Sequence, residues 1–337
     1  MRGDILSVIK LPEKPRILSG ASVVGQKEFD GPLGAEFDIH DKTSTFGMDT
    51  WEKSESEMQR IAVNTALSKA NLSPNDIDAM FAGDLLNQCA GSSYGLISFQ
   101  KPCFGIYGAC STFAEGIVLS SVCVGKGYYK KCVVSTSSHF CSAERQFRFP
   151  LEYGGQRPPT AQRTVTAAGA VVVSLGGDGP RIIDVMAGTP VDGGVTDANN
   201  MGAAMAPAAA DTFVKYFKDT GTSPSDYDLI LTGDLGREGH SIMRELMRDN
   251  GYDMDKNSND CGMLIYNCKE QDVHSGGSGC GCSASVFCAY VLKKMKKREL
   301  NDVIFASTGA LMSPDSLKQG NSIPGIAHLF HIRNTEV

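Results

Sequence analysis

Two stretches of the chain repeat one another: SPNDIDAMFAGDLLNQ over residues 73–88 and SPSDYDLILTGDLGRE over residues 223–238. They share Ser-Pro, two aspartates at one spacing (Asp76 and Asp78, Asp226 and Asp228) and a closing Gly-Asp-Leu. A unit used twice constrains the fold more than any single element, because each copy must bury its apolar face against the other. Each copy reads as a turn entering a short apolar strand that ends at Gly83-Asp84 or Gly233-Asp234. A second match follows in the same order, ACST (109–112) against GCSA (281–284). A helix-length interval then leads to the strand-like runs CVVSTSS (132–138) and VIFASTG (303–309). Each half thus holds strand, turn, helix, strand, an arrangement that closes parallel. Ahead of each first match lies a helical stretch, WEKSESEMQRIAVNTALSKA (51–70) and APAAADTFVKYFKDT (206–220).

The expected architecture is α/β: two similar halves packed together, with helices covering mostly parallel sheets. Gly-Gly-Asp-Gly-Pro within SLGGDGPRI (174–182) places the boundary between a half at 1–178, which carries Cys110, and a half at 179–337. No low-complexity linker separates them, so one fused core is expected.

Composition narrows the function. A net charge of −6 and a pI near 5.6 give no long-range attraction for nucleic acid or an anionic membrane. No apolar run approaches the roughly 18 residues of a membrane span, which predicts a soluble chain. The 11 cysteines are scattered through apolar segments such as KKCVVS and SVFCAY, which fits a reducing compartment better than a disulfide scaffold. There is no CxxC, and Cys280, Cys282 and nearby His274 lack the ligand spacing of structural zinc, so no metal is expected. Neither GGDG nor GGSGCGCS matches a nucleotide-binding glycine pattern, so no cofactor is expected either. The lysines of LKKMKKREL (292–300) read as the solvated, dipole-favoured end of a helix.

The chemistry concentrates at GIYGACSTFAEG (105–116). The apolar run into Cys110 reads as the end of a buried strand, and Ser111 and Thr112 then open a helix that carries Glu115. A cysteine at such a turn is placed as a nucleophile, and the helix start would aim backbone N–H groups at an anion beside it.

The duplicated layout, with a cysteine in a G-x-C-S turn, resembles the thiolase and ketoacyl synthase III superfamily. The segments FDGPLGAEFD, AGDLLNQ, FGIYGACST, TSSHFCSAERQFRFPLEYGGQRP, MGAAMAPAAADT, DYDLILTGDL and GGSGCGCSASV are similar to one branch of it, the stage V sporulation protein AD family of spore-forming bacteria. That resemblance implies a thiolase-like fold in a layered αβαβα arrangement. It implies binding of dipicolinic acid (pyridine-2,6-dicarboxylate), with or without calcium, and its delivery to membrane proteins of the same operon for uptake into the developing spore. It also implies a location in the forespore, peripheral to the inner membrane, and a homodimer formed by extending a sheet across a two-fold axis, which assembly with other proteins could replace.

Superfamily condensing enzymes need a base and a second polar partner beside the cysteine. Here Gly233 or Asp234 stands at the first position and Ser278 at the second, so the expected role is binding, with Cys110 vestigial. The alternative is an acyltransferase that uses Cys110 with His139, His240 or His274 as base. The residues expected at the ligand are Cys110, Ser111, Thr112, His139, Arg145, Arg148, Asp234 and Ser278. Arg145 and Arg148 would pair with carboxylates, and Phe140, Phe147 or Tyr153 would form a flat wall. Glu144, Arg145, Arg148 and Glu152 also have the spacing of an ordinary helical ion-pair set.

Overall fold

The computed structural model describes residues 7–147 and 157–334. In it the duplication extends strand by strand. The first half contributes β1 (Arg16–Gly25), β2 (Ala79–Gly83), β3 (Cys103–Gly105), β4 (Lys131–Ser138) and β5 (Ala167–Ser174), in the sheet order β1-β5-β4-β2-β3. The second contributes β6 (Arg181–Met186), β7 (Leu229–Thr232), β8 (Ser258–Asp260), β9 (Asp302–Ala310) and β10 (Gly325–Arg333), in the order β6-β10-β9-β7-β8. One order is a copy of the other. The pairing senses match as well: β2 is parallel to β3 and β4, and β7 to β8 and β9, whereas β5 and β10 are antiparallel to both of their neighbours along these orders.

The sheets are therefore mixed, which corrects the expectation of mostly parallel ones. Parallel pairing is confined to strands whose connections cross over, and β10 returns to β9 through residues 311–324 with only a short helix between them. The two groups of strands meet at the single pair Arg16 and Arg181. The short strand Val8–Lys10 pairs with β6, so the N-terminal segment joins the second half's sheet.

The principal helices are α1 (Trp51–Lys69), α2 (Thr112–Gly125), α3 (Phe140–Phe147), α4 (Met201–Thr220), α5 (Gly236–Asp249) and α6 (Cys280–Val286). The last continues through a π turn at Phe287–Val291 into Leu292–Lys296. The outer helix α1 lies on β1, β5 and β4, and α4 lies on β9 and β10. Between the two sets of strands, α2 touches β2 and β4 on one side and β9 and β10 on the other, and α6 packs on β5, β4 and β1. These are the five layers of a thiolase-like fold. TFAEGIVLSSVCVG is apolar nearly all round, as a helix buried on both sides must be. Its Phe113 meets Phe287, Phe305 and Phe330 at centroid distances of 5.4, 6.1 and 6.2 Å, which joins the central helices to the second half's strands.

The repeated aspartates explain the repeated motif. Asp76 and Asp226 each accept the backbone N–H of Ser73 or Ser223 at 2.8 Å, closing a one-turn cap around the proline. Asp78 Oδ2 accepts the N–H groups of Lys130 and Lys131 at 2.6 and 3.0 Å, and Asp228 Oδ2 accepts those of Asn301 and Asp302 at 2.7 and 3.0 Å. The second aspartate of each copy thus ties one strand entrance to the next parallel strand. Asp78→Ala and Asp228→Ala should each lower the free energy of unfolding by about 1 to 2 kcal/mol, measured by urea denaturation, because two charge-assisted bonds at a solvent-accessible site are lost.

Candidate functional site

The strand before Cys110 is not buried. β3 lies at the sheet edge with all three residues exposed, and residues 106–111 form an irregular turn in which Ala109 takes a left-handed φ of +53°. The helix begins at Thr112, one residue later than expected, and Ser111 is its N-cap. Ser111 donates its N–H and hydroxyl to Gly108 O at 3.1 and 2.6 Å, and Thr112 Oγ1 donates to Ala109 O at 2.6 Å. Thr112 Oγ1 also accepts the Gly108 N–H at 3.0 Å. Both side chains thus brace the turn, and neither is among the residues lining the cleft beside Cys110. The end of β9 presses on the same turn: a Cβ on Gly309 would lie 2.2 Å from Gly108 O and 3.0 Å from Ser111 N.

Cys110, 6% exposed, faces a narrow cleft with a cavity volume of about 40 Å³. Its walls are Leu85, Tyr107, Phe147, Met201 and Met312, with Glu144, Thr164 and Ser278 as polar groups. Ser278 reaches Cys110 through a local parallel pairing of Gly277–Ser278 with Arg163–Thr164, in which Ser278 is opposite Thr164. Thr164 Oγ1 donates to Glu144 Oε1 at 3.2 Å. Ala143, Glu144 and Phe147 share one face of α3, which makes that helix a wall of the cleft. Glu144, Thr164 and Tyr107 were not among the expected site residues. The helical spacing of Ala143, Glu144 and Phe147 is the signal that marks this face, whereas the ion-pair spacing groups Glu144 with Arg145, Arg148 and Glu152.

The structure brings Cys110 and Ser278 together at the cleft, and the wall residue Phe147 with them, but not the other expected groups among the described residues. His139 is buried away from the cleft. Its Nε2 bonds to Ser44 O at 2.8 Å and its Nδ1 accepts the Cys141 N–H at 3.2 Å, which fixes the neutral tautomer, and burial lowers its pKa. Arg145 is 52% exposed and pairs with Glu52 of α1, as an outward ion pair would. Arg148 and Tyr153 lie outside the described residues. Phe140 carries Arg163 on its ring at 3.7 Å and Arg157 at 5.0 Å.

Asp234 is fully buried beneath the entrance to α5 and does not line the cleft. Burial first, then the nearby Asp260 charge, hold its pKa well above the ordinary carboxylate value, while the Gly279 N–H and the Cys282 thiol act against this. Buried and outside the cleft lining, Asp234 is not placed to take a proton from Cys110. Asp260 carries the loop instead, accepting the N–H groups of Leu235, Gly236 and Gly262, each at 2.9 Å. The two other histidines considered as bases also lie elsewhere: His240 is buried, with its pKa lowered to about 4 by burial and Arg244, and His274 sits 3.5 Å from Asp272. Among the described residues no histidine lines the cleft.

A family model for stage V sporulation protein AD matches residues 6–333. The chain belongs to that family. The stage V sporulation protein AD of Bacillus subtilis (strain 168) is 44% identical over 310 residues, 92% of this chain and 91% of the relative. Solved structures of condensing enzymes share the fold at much lower identity. The 3-oxoacyl-[acyl-carrier-protein] synthase III of Aquifex aeolicus VF5 is 13% identical with a TM-score of 0.58, covering 95% of this chain and 99% of that one. Xanthomonas campestris OleA with bound cerulenin is 14% identical with a TM-score of 0.62, covering 96% and 100%. As a family member the chain is a sporulation protein, and among its described residues no helix is long and apolar enough to cross a membrane.

The packing of Gly309 on the cysteine turn gives a direct test. Gly309→Ala forces the turn off Gly108 and Ser111, and should cost about 1 to 3 kcal/mol in chemical denaturation while exposing the Cys110 thiol to faster alkylation, followed by mass spectrometry.

Proposed function

We propose that this sporulation protein binds dipicolinic acid in the Cys110 cleft without catalysis. It then delivers the compound to membrane proteins of the stage V sporulation operon for uptake into the forespore, while peripheral to the inner membrane through those partners. The observation that carries the reading is the composition of the cleft: the Cys110 thiol beside the hydroxyls of Tyr107, Thr164 and Ser278 and the Glu144 carboxyl, with no imidazole among the described lining residues. Such a site has hydrogen-bonding groups but lacks the imidazole that pairs with a catalytic thiol, and the narrow cleft would open around the ligand. Tyr107 and Phe147 offer faces for a planar ring, and the Thr164 and Ser278 hydroxyls offer donors. Arg148, the residue after Phe147 in sequence, is the proposed cationic partner for a carboxylate. The carboxyl of Glu144 on the same wall would repel a free dianion, so binding should be tighter when calcium accompanies the ligand.

The fold shared with condensing enzymes, and the cysteine at the mouth of a buried helix, support acyl transfer through Cys110 as the second reading. Two experiments separate them. Calorimetric titration with dipicolinate, with and without calcium, should show saturable binding that isophthalate reproduces poorly. Cys110→Ser should retain this binding, Cys110→Trp should abolish it, and Arg148→Ala should weaken it about ten- to a hundredfold. Arg145→Ala, which breaks only the pair with Glu52, should leave affinity within about twofold. Absence of saturable binding in both conditions overturns the proposal. A covalent acyl adduct on Cys110 after incubation with short acyl-CoA thioesters would establish the second reading.

A further inference from the structure

Two buried acids have no part in the cleft itself. Glu55 of α1 and Asp84 at the end of β2 are both fully buried, and a Cβ on Gly91 would lie 3.2 Å from the Asp84 carboxyl and 3.2 Å from Glu55 Cγ. Their surroundings differ in kind. Asp84 Oδ1 accepts the Leu86 N–H at 2.8 Å, and its Oδ2 accepts both the N–H and the hydroxyl of Ser92 at 2.7 Å. Three donors suit a carboxylate. Glu55 Oε1 accepts the Ser137 hydroxyl at 3.2 Å, and its Oε2 is 2.7 Å from Ser142 Oγ, which is itself 3.1 Å from the His139 carbonyl oxygen. A serine hydroxyl has one hydrogen and a carbonyl can only accept, so one hydrogen cannot fill both contacts. They are both satisfied when Glu55 is protonated, donating to Ser142, which in turn donates to His139.

No cation faces this pair among its described contacts. The titratable groups around it are the thiols of Cys89 and Cys280 and the phenol of Tyr107, with Asp234 also within range of Cys280. His139, beside Ser142, is held neutral by its own bonds, and Arg145 of α3 is directed outward to Glu52. Burial, followed by the Asp84 charge, pushes Glu55 up to about 8. The location gives the pair a role. Leu85, adjacent to Asp84, and Ala143 and Glu144, adjacent to Ser142, are on different walls of the cleft.

We infer that Glu55 and Asp84 hold one proton between them, carried by Glu55, and that this proton keeps the β2 loop clamped against α1, so that the two acids are positioning residues for the cleft and ligand binding is linked to proton uptake. The inference rests on the cleft being the ligand site. Loss of the proton leaves two adjacent anions in a dry site and turns the Ser142 hydrogen from the His139 carbonyl to Glu55, and the repulsion pushes the loop that carries Asp84 and Leu85 away from α1. A ligand that needs both walls then draws the proton back. Above the titration of Glu55, each ligand bound should take up as much as one proton, and affinity should fall by as much as tenfold per pH unit.

The test uses the full chain, its Glu55→Gln variant, dipicolinate, and Trp51. That residue is the single tryptophan of the sequence, sits one helical turn before Glu55, and lies 5.4 Å from the His139 ring. Calorimetry in two buffers of different ionisation heat should show a flat affinity below about pH 7, then proton uptake and falling affinity above about pH 8. Glu55→Gln, which keeps a neutral donor at the same place, should bind with no such pH dependence. Without any ligand, Trp51 emission should titrate near pH 8 in the native chain and not in the variant. An emission profile that is flat in the native chain, or unchanged by Glu55→Gln, overturns the shared proton whether or not dipicolinate binds. Binding that is pH-independent despite an emission change overturns the linkage. Absence of binding at every pH overturns the assignment of the ligand site and the linkage with it, while the emission experiment still decides the clamp.

Discussion

Burial of two helices between two sets of strands is the constraint from which most of this structure follows. A helix enclosed on both sides cannot be amphipathic, so α2 is almost wholly apolar, and α6 begins with seven buried residues, Cys280–Val286. Such a helix also has no solvent at its N-terminus to satisfy its first amides. The turn before α2 resolves part of this locally: the Gly108 and Ala109 carbonyls accept the N–H groups of Ser111 and Thr112, and the Ser111 and Thr112 hydroxyls donate to the same two carbonyls, which holds the turn closed. Cys110 sits in that turn because the turn, and not a strand end, joins the edge of the sheet to the central layer.

The architecture was legible because its signals are local and occur twice. A serine-proline cap followed by two aspartates is readable as a turn, and each aspartate has a counterpart making the same bond in the other half. The antiparallel return of β5 and β10 was not legible. AVVVS and IAHLFHIR are buried apolar strands whatever their direction, and only the connection decides which way they run. The exposure of β3 was hidden for a similar reason, since CFG is apolar enough to read as core although it lies at an edge.

At the site, sequence reasoning located the cysteine and the glycine-rich loop but not what lies between them. Ser278 is opposite Thr164 because two residues of each chain segment pair across more than a hundred positions, a contact that no spacing announces. His139 follows a strand that ends near the cleft, yet its ring turns to Ser44 and Trp51. Asp234 holds the position expected of a catalytic partner, but Asp260 takes the backbone donors of that loop and leaves Asp234 buried and raised in pKa. Burial decided both outcomes, and burial of a polar side chain is the property least visible in sequence.

The contact of Phe113 with Phe287, Phe305 and Phe330 bears on how the chain is made. On the ribosome, α2 is complete more than 150 residues before its aromatic partners emerge. Throughout that interval one whole side of the nascent first half is an uncovered apolar surface, neither folded core nor tolerable exterior. The duplicated architecture therefore makes biogenesis dependent on the second half arriving before the first finds another partner, and a chaperone that occupies the face of α2 during synthesis would act where the need is greatest.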